Sequence, residues 1–213
     1  MEEKEILLKV PQGKKAEWNE EGYIQLVDEE PEQPKDITER VKTLYDAQKV
    51  LEERADLGDT KAKQLLTEYN AINTSETSID MVAYLQLRII TAALNEGWEP
   101  KFTEDETRWY PYLALWTDEE IKDKSPEWKD DHQLLLWGGS AHIGTRCGSS
   151  FSFSYGGWAY AYAYIGSRLA YKTQALAVYA GRQFASVFAR FYIGEQAKDA
   201  KPWREFEKEQ QSK

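Results

Sequence analysis

The sequence predicts an α+β protein in which an N-terminal hairpin and several helices pack with an antiparallel β-meander and a C-terminal helix. Apolar residues recur at helical spacing between residues 43 and 96, alternate with small or polar residues within 132–171, and return to helical spacing over 173–193. We expect three parts: an N-terminal hairpin with an acidic linker (1–35), a main α+β domain (36–195) and a charged tail (196–213).

The first part is predicted to be a hairpin. Apolar side chains alternate over residues 5–10, Pro11-Gln12-Gly13 breaks the run, and residues 23–27 form a second run. Residues 28–35 are acidic and contain two prolines, which is typical of a linker.

Two helices are predicted from their caps. Thr43 and Asp46 have the spacing of a capping box, which indicates a helix over about residues 44–57. Asp59 can cap a second helix that continues to about Tyr69.

The strongest helical pattern covers residues 79–96, after Ser78 as the cap. Its apolar residues form two stripes rather than one, so we expect this helix to be buried on most sides. Gly97 and Pro100 are expected to end it.

The sequence pattern of the C-terminal half differs from that of the helical region before it. Residues 109–116 read as an aromatic strand, residues 117–120 as a short helical turn and residues 132–171 as β-structure. A last helix is predicted over residues 173–193, with its phenylalanine face (Phe184, Phe188 and Phe191) docked on the sheet.

Composition excludes several classes of protein. The formal net charge of −10 disfavours a binder of duplex nucleic acid, which normally has a basic face. Cys147 is the single cysteine, so no intramolecular disulfide forms. The N-terminus has no apolar signal core and no run of 18 apolar residues occurs, so we expect no membrane insertion and a location in a host cytoplasm or a virion.

One segment differs in chemistry from the rest. Residues 132–167 contain one residue of the Asp, Glu, Lys and Arg set, Arg146. Gly156-Gly157 is a candidate two-residue turn, and counting outward from it places aromatic residues opposite one another on one face of a hairpin. The predicted aromatic pairs are Tyr155 with Trp158, Phe153 with Tyr160, and Phe151 with Tyr162.

Two interpretations of this hairpin remain open. The aromatic face could be packed core, which is the usual fate of such a stripe. It could instead bind a ligand, because Tyr, Ser and Gly are typical of antibody-like binding surfaces and charge is depleted at interface centres. The candidate ligand-binding residues are His142, Arg146, Phe153, Tyr155, Trp158, Tyr160 and Tyr162.

The residue types within 138–155 favour the second interpretation. Each of them can be reached by replacing adenines in an asparagine codon, and Lys, Glu, Gln, Met and Trp do not occur there. This pattern is the signature of adenine-directed diversification by a diversity-generating retroelement, although small and aromatic residues are also common in hairpins.

Three stretches carry a resemblance to a known group of proteins. Residues 83–115 (AYLQLRIITAALNEGWEPKFTEDETRWYPYLAL), residues 165–184 (IGSRLAYKTQALAVYAGRQF) and residues 7–13 (LLKVPQG) resemble uncharacterised proteins of phages and prophages of gut Bacteroidetes. This resemblance implies a phage context and no particular activity. The GGS at 138–140 and IGSR at 165–168 are similar to the last strands of C-type-lectin-fold variable proteins, although here a helix is predicted to follow.

Catalytic and metal-binding signals are sparse. His132 and His142 are the only histidines, and the distance from His142 to Cys147 in sequence is not a usual zinc spacing. No P-loop, dinucleotide fingerprint, HExxH or nucleophile elbow occurs. We therefore expect no catalytic residues, no metal, no cofactor and no enzymatic activity.

Three functional hypotheses follow. The first is a phage-encoded binding protein that presents a Tyr/Ser/Gly-rich surface to a protein or glycan ligand. The second is a structural or assembly protein of the phage particle, in which the aromatic hairpin packs inside a homo-oligomer. The third is an anti-defence protein that sequesters a nucleotide signal, with Arg146, Arg168 or Lys172 at the phosphates and aromatic rings on the bases.

Overall fold

A computed structural model describes most of the chain as two compact units, residues 1–35 and 36–213. The described residues are 9–11, 14–28, 36–101, 106–111, 113–137, 141–144, 151–152 and 169–212, with the main chain alone at 28, 141–144, 151–152 and 210. The α+β fold class predicted from the sequence is confirmed, including the N-terminal hairpin.

The first unit contains the hairpin, whose strands are β1 (Lys14–Trp18) and β2 (Ile24–Asp28). Strand β1 begins directly after the Pro11-Gln12-Gly13 break, where the Lys14 amide donates to the Pro11 carbonyl (3.2 Å). The run predicted before the break, over residues 5–10, lies mostly outside the described residues. The Asn19 side chain stabilises the reversal by accepting from the Tyr23 amide (2.8 Å).

Helices dominate the first half of the second unit. Their bounds are α1 Ile37–Arg40, α2 Leu44–Asp56, α3 Thr60–Asn70 and α4 Ile79–Leu94. The capping box predicted from Thr43 and Asp46 is confirmed with both of its hydrogen bonds, and the Asp59 carboxylate caps α3 through the amides of Lys61 and Ala62.

Helix α4 lies at the centre of this unit. Seven of its sixteen residues are buried, and the chain from Ile89 to Asn95 is buried almost continuously, as its double apolar stripe predicted. Residues from α2, α3, α7 and α8 join it in one hydrophobic cluster, the helical core, in which Leu51, Leu87 and Phe188 have no solvent exposure.

Short strands form two small sheets beside the helices. Their bounds are β3 Trp109–Tyr110, β4 Ala114–Thr117, β5 Leu135–Leu136, β6 Ala141–Gly144, β7 Phe151–Ser152 and β8 Lys201–Pro202. One sheet has the antiparallel order β4-β6-β5-β8, and the other pairs β3 with β7. The predicted aromatic strand 109–116 is thus two strands on either side of Pro111, which cannot donate to a ladder.

The remaining helices are α5 Asp118–Lys122, α6 Pro126–Asp131, α7 Gln174–Gln183, α8 Ala185–Ile193 and α9 Trp203–Gln211. The single helix predicted over 173–193 is therefore two, because Phe184 leaves helical geometry (φ −114°, ψ 28°). The segment 196–213 contains β8 and α9 and belongs to the second compact unit.

The phenylalanine face of the last helical region was predicted to dock on a sheet within residues 132–171, much of which falls outside the described residues; among the described residues this face packs mainly on helices. Phe184 and Phe188 enter the helical core, and Phe191 stacks on Tyr84 of α4 with ring centroids 5.8 Å apart. The small residues Ala185 and Ala189 face the sheet instead and pack against β5. Short side chains let the helix approach the sheet closely, while the larger rings fill the wider space between helices.

None of the helices in the described part of the chain is long and apolar enough to cross a membrane.

Candidate functional site

The sequence-predicted ligand-binding residues are placed only in part. His142 lies in β6, where its main chain pairs with Trp116 of β4. The other six candidates, and the turn at Gly156-Gly157, fall outside the described residues, so the hairpin register stays a prediction. Those six are Arg146, Phe153, Tyr155, Trp158, Tyr160 and Tyr162.

The described residues do define how the chain enters and leaves this region. Trp109 of β3 pairs with Ser152 on one side and with Tyr171 on the other. The Trp109 and Tyr171 amides each donate to the other's carbonyl, at 3.1 and 2.9 Å. Because adjacent strands lie about 4.8 Å apart, Ser152 and Tyr171 are held roughly 10 Å apart across β3.

The point of return is fixed to α4 by buried polar contacts. The Asn95 side chain donates to the Ala170 carbonyl (2.7 Å) and accepts from the Lys172 amide (3.1 Å), as a neighbouring strand would. Thr91 donates to the Tyr171 hydroxyl (3.0 Å), and burial raises the pKa of Tyr171 well above its ordinary value. The residues that follow the segment therefore belong to the core.

The point of entry is equally fixed. Residues Leu134–Trp137 are all buried, and β5 pairs with β6 on one edge and β8 on the other. Trp137, the last described residue before the segment, packs in one cluster with Ala185 and Ala189 of α8. Residues 138–168 are thus connected at both ends to buried structure.

The groups suspected of phosphate or metal chemistry have other contacts. The Lys172 ammonium forms an ion pair with Glu96 (2.7 Å), and Arg146 and Arg168 lie outside the described residues. His132 stacks on Trp128 (centroids 3.9 Å apart), and its Nδ1 donates to the Trp128 carbonyl (2.8 Å). Within the residues that the structure describes, no three His, Cys, Asp or Glu side chains gather as a metal site would require.

A second candidate site was not predicted from the sequence. A cavity of about 430 Å³, here called the helical cavity, lies between α2, α3, α4 and residues 97–100. Arg54, Arg88 and Trp98 line it. Arg88 is the residue that could have indicated this site from the sequence, because it lies inside an apolar run of α4. A charged side chain is rarely buried at such a position unless it has a partner.

A second, smaller cavity of about 290 Å³ lies between α6, α7 and the start of α9. Lys129, Asp130 and Arg204 line it, and all three form ion pairs.

Comparison with known proteins adds no family: no family model matches the chain, and no match to it was found among curated proteins or solved structures.

Proposed function

We propose that this protein is a phage-encoded, non-enzymatic binding protein that presents residues 138–168 to a protein or glycan ligand. The observation that supports it best is the pair of fixed ends around this segment. Ser152 and Tyr171 flank the same residue of β3, and Trp137 and Leu169 are both buried. A variable surface on a rigid scaffold is how many binding proteins separate recognition from stability.

The composition of the segment supplies the recognition chemistry. Tyrosine and tryptophan give large contact areas with few rotatable bonds, while serine and glycine add adaptable hydrogen bonds. Charge is nearly absent from residues 132–167, and interface centres are likewise depleted of charge. His142 and Arg146 are proposed as a polar rim.

Replacing Tyr155 and Trp158 together by alanine tests this proposal. We expect binding to cell-surface polysaccharide or surface-protein fractions of Bacteroidetes hosts to be lost, because few aromatic residues carry most interface energy. Tm should stay within about 2 °C of the parent, since surface truncations cost little. The readout is biolayer interferometry beside differential scanning calorimetry.

A matched variant, Tyr110→Ala, alters an aromatic residue in β3, outside the segment. It is expected to lower Tm while the remaining folded protein still binds. The display proposal is wrong if the Tyr155/Trp158 double variant melts several degrees below the parent and the parent itself binds neither the polysaccharide fraction nor the surface-protein fraction. The aromatic hairpin would then be packed core.

A second candidate, a structural protein of an assembled particle, is supported by the N-terminal hairpin. Trp18 pairs with Ile24 and Ala16 with Leu26, so these four side chains share one face. Trp18 is 73% exposed, and Ile24 and Leu26 are exposed as well. An exposed apolar face on a two-stranded ribbon is typical of an interaction surface.

This candidate predicts self-association through the hairpin. Size-exclusion chromatography with light scattering should show an oligomer that Trp18→Glu converts to a monomer, while Lys15→Glu on the opposite face has a smaller effect. A parent chain that is monomeric at about 100 µM would exclude assembly through this face.

A further inference from the structure

The helical cavity has the size of a small-molecule site. Its volume of about 430 Å³ falls in the range of roughly 300–1,000 Å³ that such sites occupy. Its lining includes the buried side chains of Thr91 in α4 and of Asn95, the residue that follows this helix. Its walls come from three helices and the segment after α4.

Arg54 is held rigidly at this cavity. Its Nε and Nη2 both donate to Asp59, and its Nη1 donates to the Ala92 carbonyl (2.8 Å). A guanidinium has five N–H donors, so two remain after these three bonds. Gly97 lies close to this group and adopts φ +90°, a backbone conformation that favours glycine.

Arg88 lines the same cavity with more free donors. Its side chain is 18% exposed, and among the described residues its one hydrogen bond is from Nη1 to Glu68 (2.7 Å). Four N–H donors therefore remain in a setting largely removed from water. Arg88 and Ala92 are four residues apart on α4, about 6 Å along the axis, so both guanidinium groups lie on one face of this helix.

Trp98 adds an aromatic surface. It is half-buried, and its amide donates to the Asn95 carbonyl (2.9 Å), which fixes the start of the wall. Pro100 continues the same wall. A planar group entering the cavity can stack on the indole while its charged end reaches the arginines.

The charges around the cavity select the class of anion. Arg54, Arg88 and Lys61 form ion pairs with Asp59, Glu68 and Glu99, respectively, so the charges of these side chains sum to about zero. A dianion would also meet the carboxylates of Glu68 and Glu99, which line the cavity. A singly charged group with two acceptor oxygens fits the free guanidinium donors and adds one negative charge.

We propose that the helical cavity binds a small planar ligand that carries a singly charged oxyanion, either a carboxylate or a phosphodiester. The Lys61–Glu99 pair lies at its rim, with both side chains mostly exposed, and such pairs contribute little to stability. Breaking this ion pair would let the ligand enter the cavity and would free Lys61 to approach the anion.

The test is isothermal titration calorimetry of the full chain with three probes: indole-3-acetate, 3′,5′-cyclic AMP and inorganic phosphate. We expect one of the two ring-bearing probes to bind in the micromolar range, and its identity distinguishes the carboxylate from the phosphodiester. Arg88→Lys should weaken that binding about tenfold or more, because lysine keeps the pair with Glu68 but loses the planar fork. Trp98→Ala should weaken it as well.

Arg40→Lys is the matched control. Arg40 forms a comparable pair with Glu53 (2.5 Å) with its side chain 23% exposed, but it does not line the cavity. The affinity of the Arg40→Lys variant for the ring-bearing probe should stay within about twofold of the parent's affinity. Both lysine variants should have the same Tm as the parent. The proposal is overturned if neither ring-bearing probe binds at about 1 mM, if Arg40→Lys weakens binding as much as Arg88→Lys, or if phosphate binds as tightly as the ring-bearing probes.

Discussion

Two hydrophobic clusters of this protein are built on different principles. The helical core consists mainly of aliphatic residues and phenylalanine, and many of its side chains have no solvent exposure. The second, the aromatic cluster, joins α5, α6, β5 and α9 around the buried Trp203, with two partly exposed tryptophans packed against it. Its members are Ile121, Leu134, Leu136 and Trp203, with Trp116, Trp128 and Phe206 packed against them.

Cations cover the tryptophans of the aromatic cluster. Lys124 lies 5.1 Å from the centroid of Trp128, and Lys129 and Arg204 lie 5.0 and 4.5 Å from that of Trp203. Such contacts contribute about 0.5–1 kcal/mol each when exposed. The comparison indicates that burial of apolar side chains dominates in the helical core, whereas the aromatic cluster also depends on side chains that carry charge.

The largest effect is expected in the helical core. Phe188→Ala removes a fully buried ring and should lower the free energy of unfolding by about 3–5 kcal/mol. For a chain of this length, Tm should fall by roughly 6–20 °C in a calorimetric scan.

Leu57→Ala is the control for Phe188→Ala. Leu57 is 89% exposed, so its truncation should change stability by no more than about 0.5 kcal/mol. Equal shifts for the two variants would contradict the assignment of Phe188 to the core.

A smaller and more local loss is expected in the aromatic cluster. Trp203→Ala removes the main anchor of α9, which is 8% exposed. The cost should stay below about 3 kcal/mol, because α9 can detach while the rest remains folded. Hydrogen exchange should accelerate in residues 203–211 and stay unchanged in α4, and uniform acceleration of both would show that the two clusters unfold together.

The same contrast explains what the sequence could predict. Local signals sufficed where caps and periodic burial agree, as at Thr43 with Asp46 and along α4. They did not reveal which partner each face of α8 contacts, because Phe188 and Ala189 both suit a buried helix face and only the shapes of distant elements decide between them. Tertiary packing of that kind is not encoded in spacing.

The candidate sites show the same limit. The 132–167 segment was visible because its composition departs from that of its neighbours. The helical cavity was not, since Arg54 and Arg88 are far apart in sequence and become one site only when α2 packs on α4 through the Arg54–Ala92 hydrogen bond. Arginine inside an apolar run is the signal that sequence analysis should weigh more heavily.

A smaller loss of stability is expected from breaking the hydrogen bond between Thr91 of α4 and Tyr171, which attaches the chain after the segment to this helix. Tyr171→Phe removes the acceptor for the Thr91 hydroxyl and should cost about 1 kcal/mol. The double variant with Thr91→Val should cost less than the sum of the two single variants, because each already breaks the same bond. Strict additivity in urea unfolding would show that this hydrogen bond does not stabilise the fold.

The smallest effect, and the one that separates the clusters most sharply, is the response to acid. The Asp130 carboxylate accepts from Trp203 Nε1 (2.8 Å) and from Arg204 Nε (3.1 Å), and Arg204 first and Trp203 second hold the pKa of Asp130 below its ordinary value. A carboxyl whose pKa is lower in the folded state stabilises the fold above its unfolded pKa of about 3.9, and that contribution is lost as pH falls through the folded value. The nuclear magnetic resonance signal of the Trp203 indole N–H should therefore shift below about pH 4, before signals from the helical core change.

Asp130→Asn should remove this titration, whereas Asp131→Asn, a change at the exposed neighbouring residue, should preserve it. If the Trp203 signal stays constant down to pH 2 while the protein remains folded, the aromatic cluster does not depend on this charge and the contrast with the helical core is wrong.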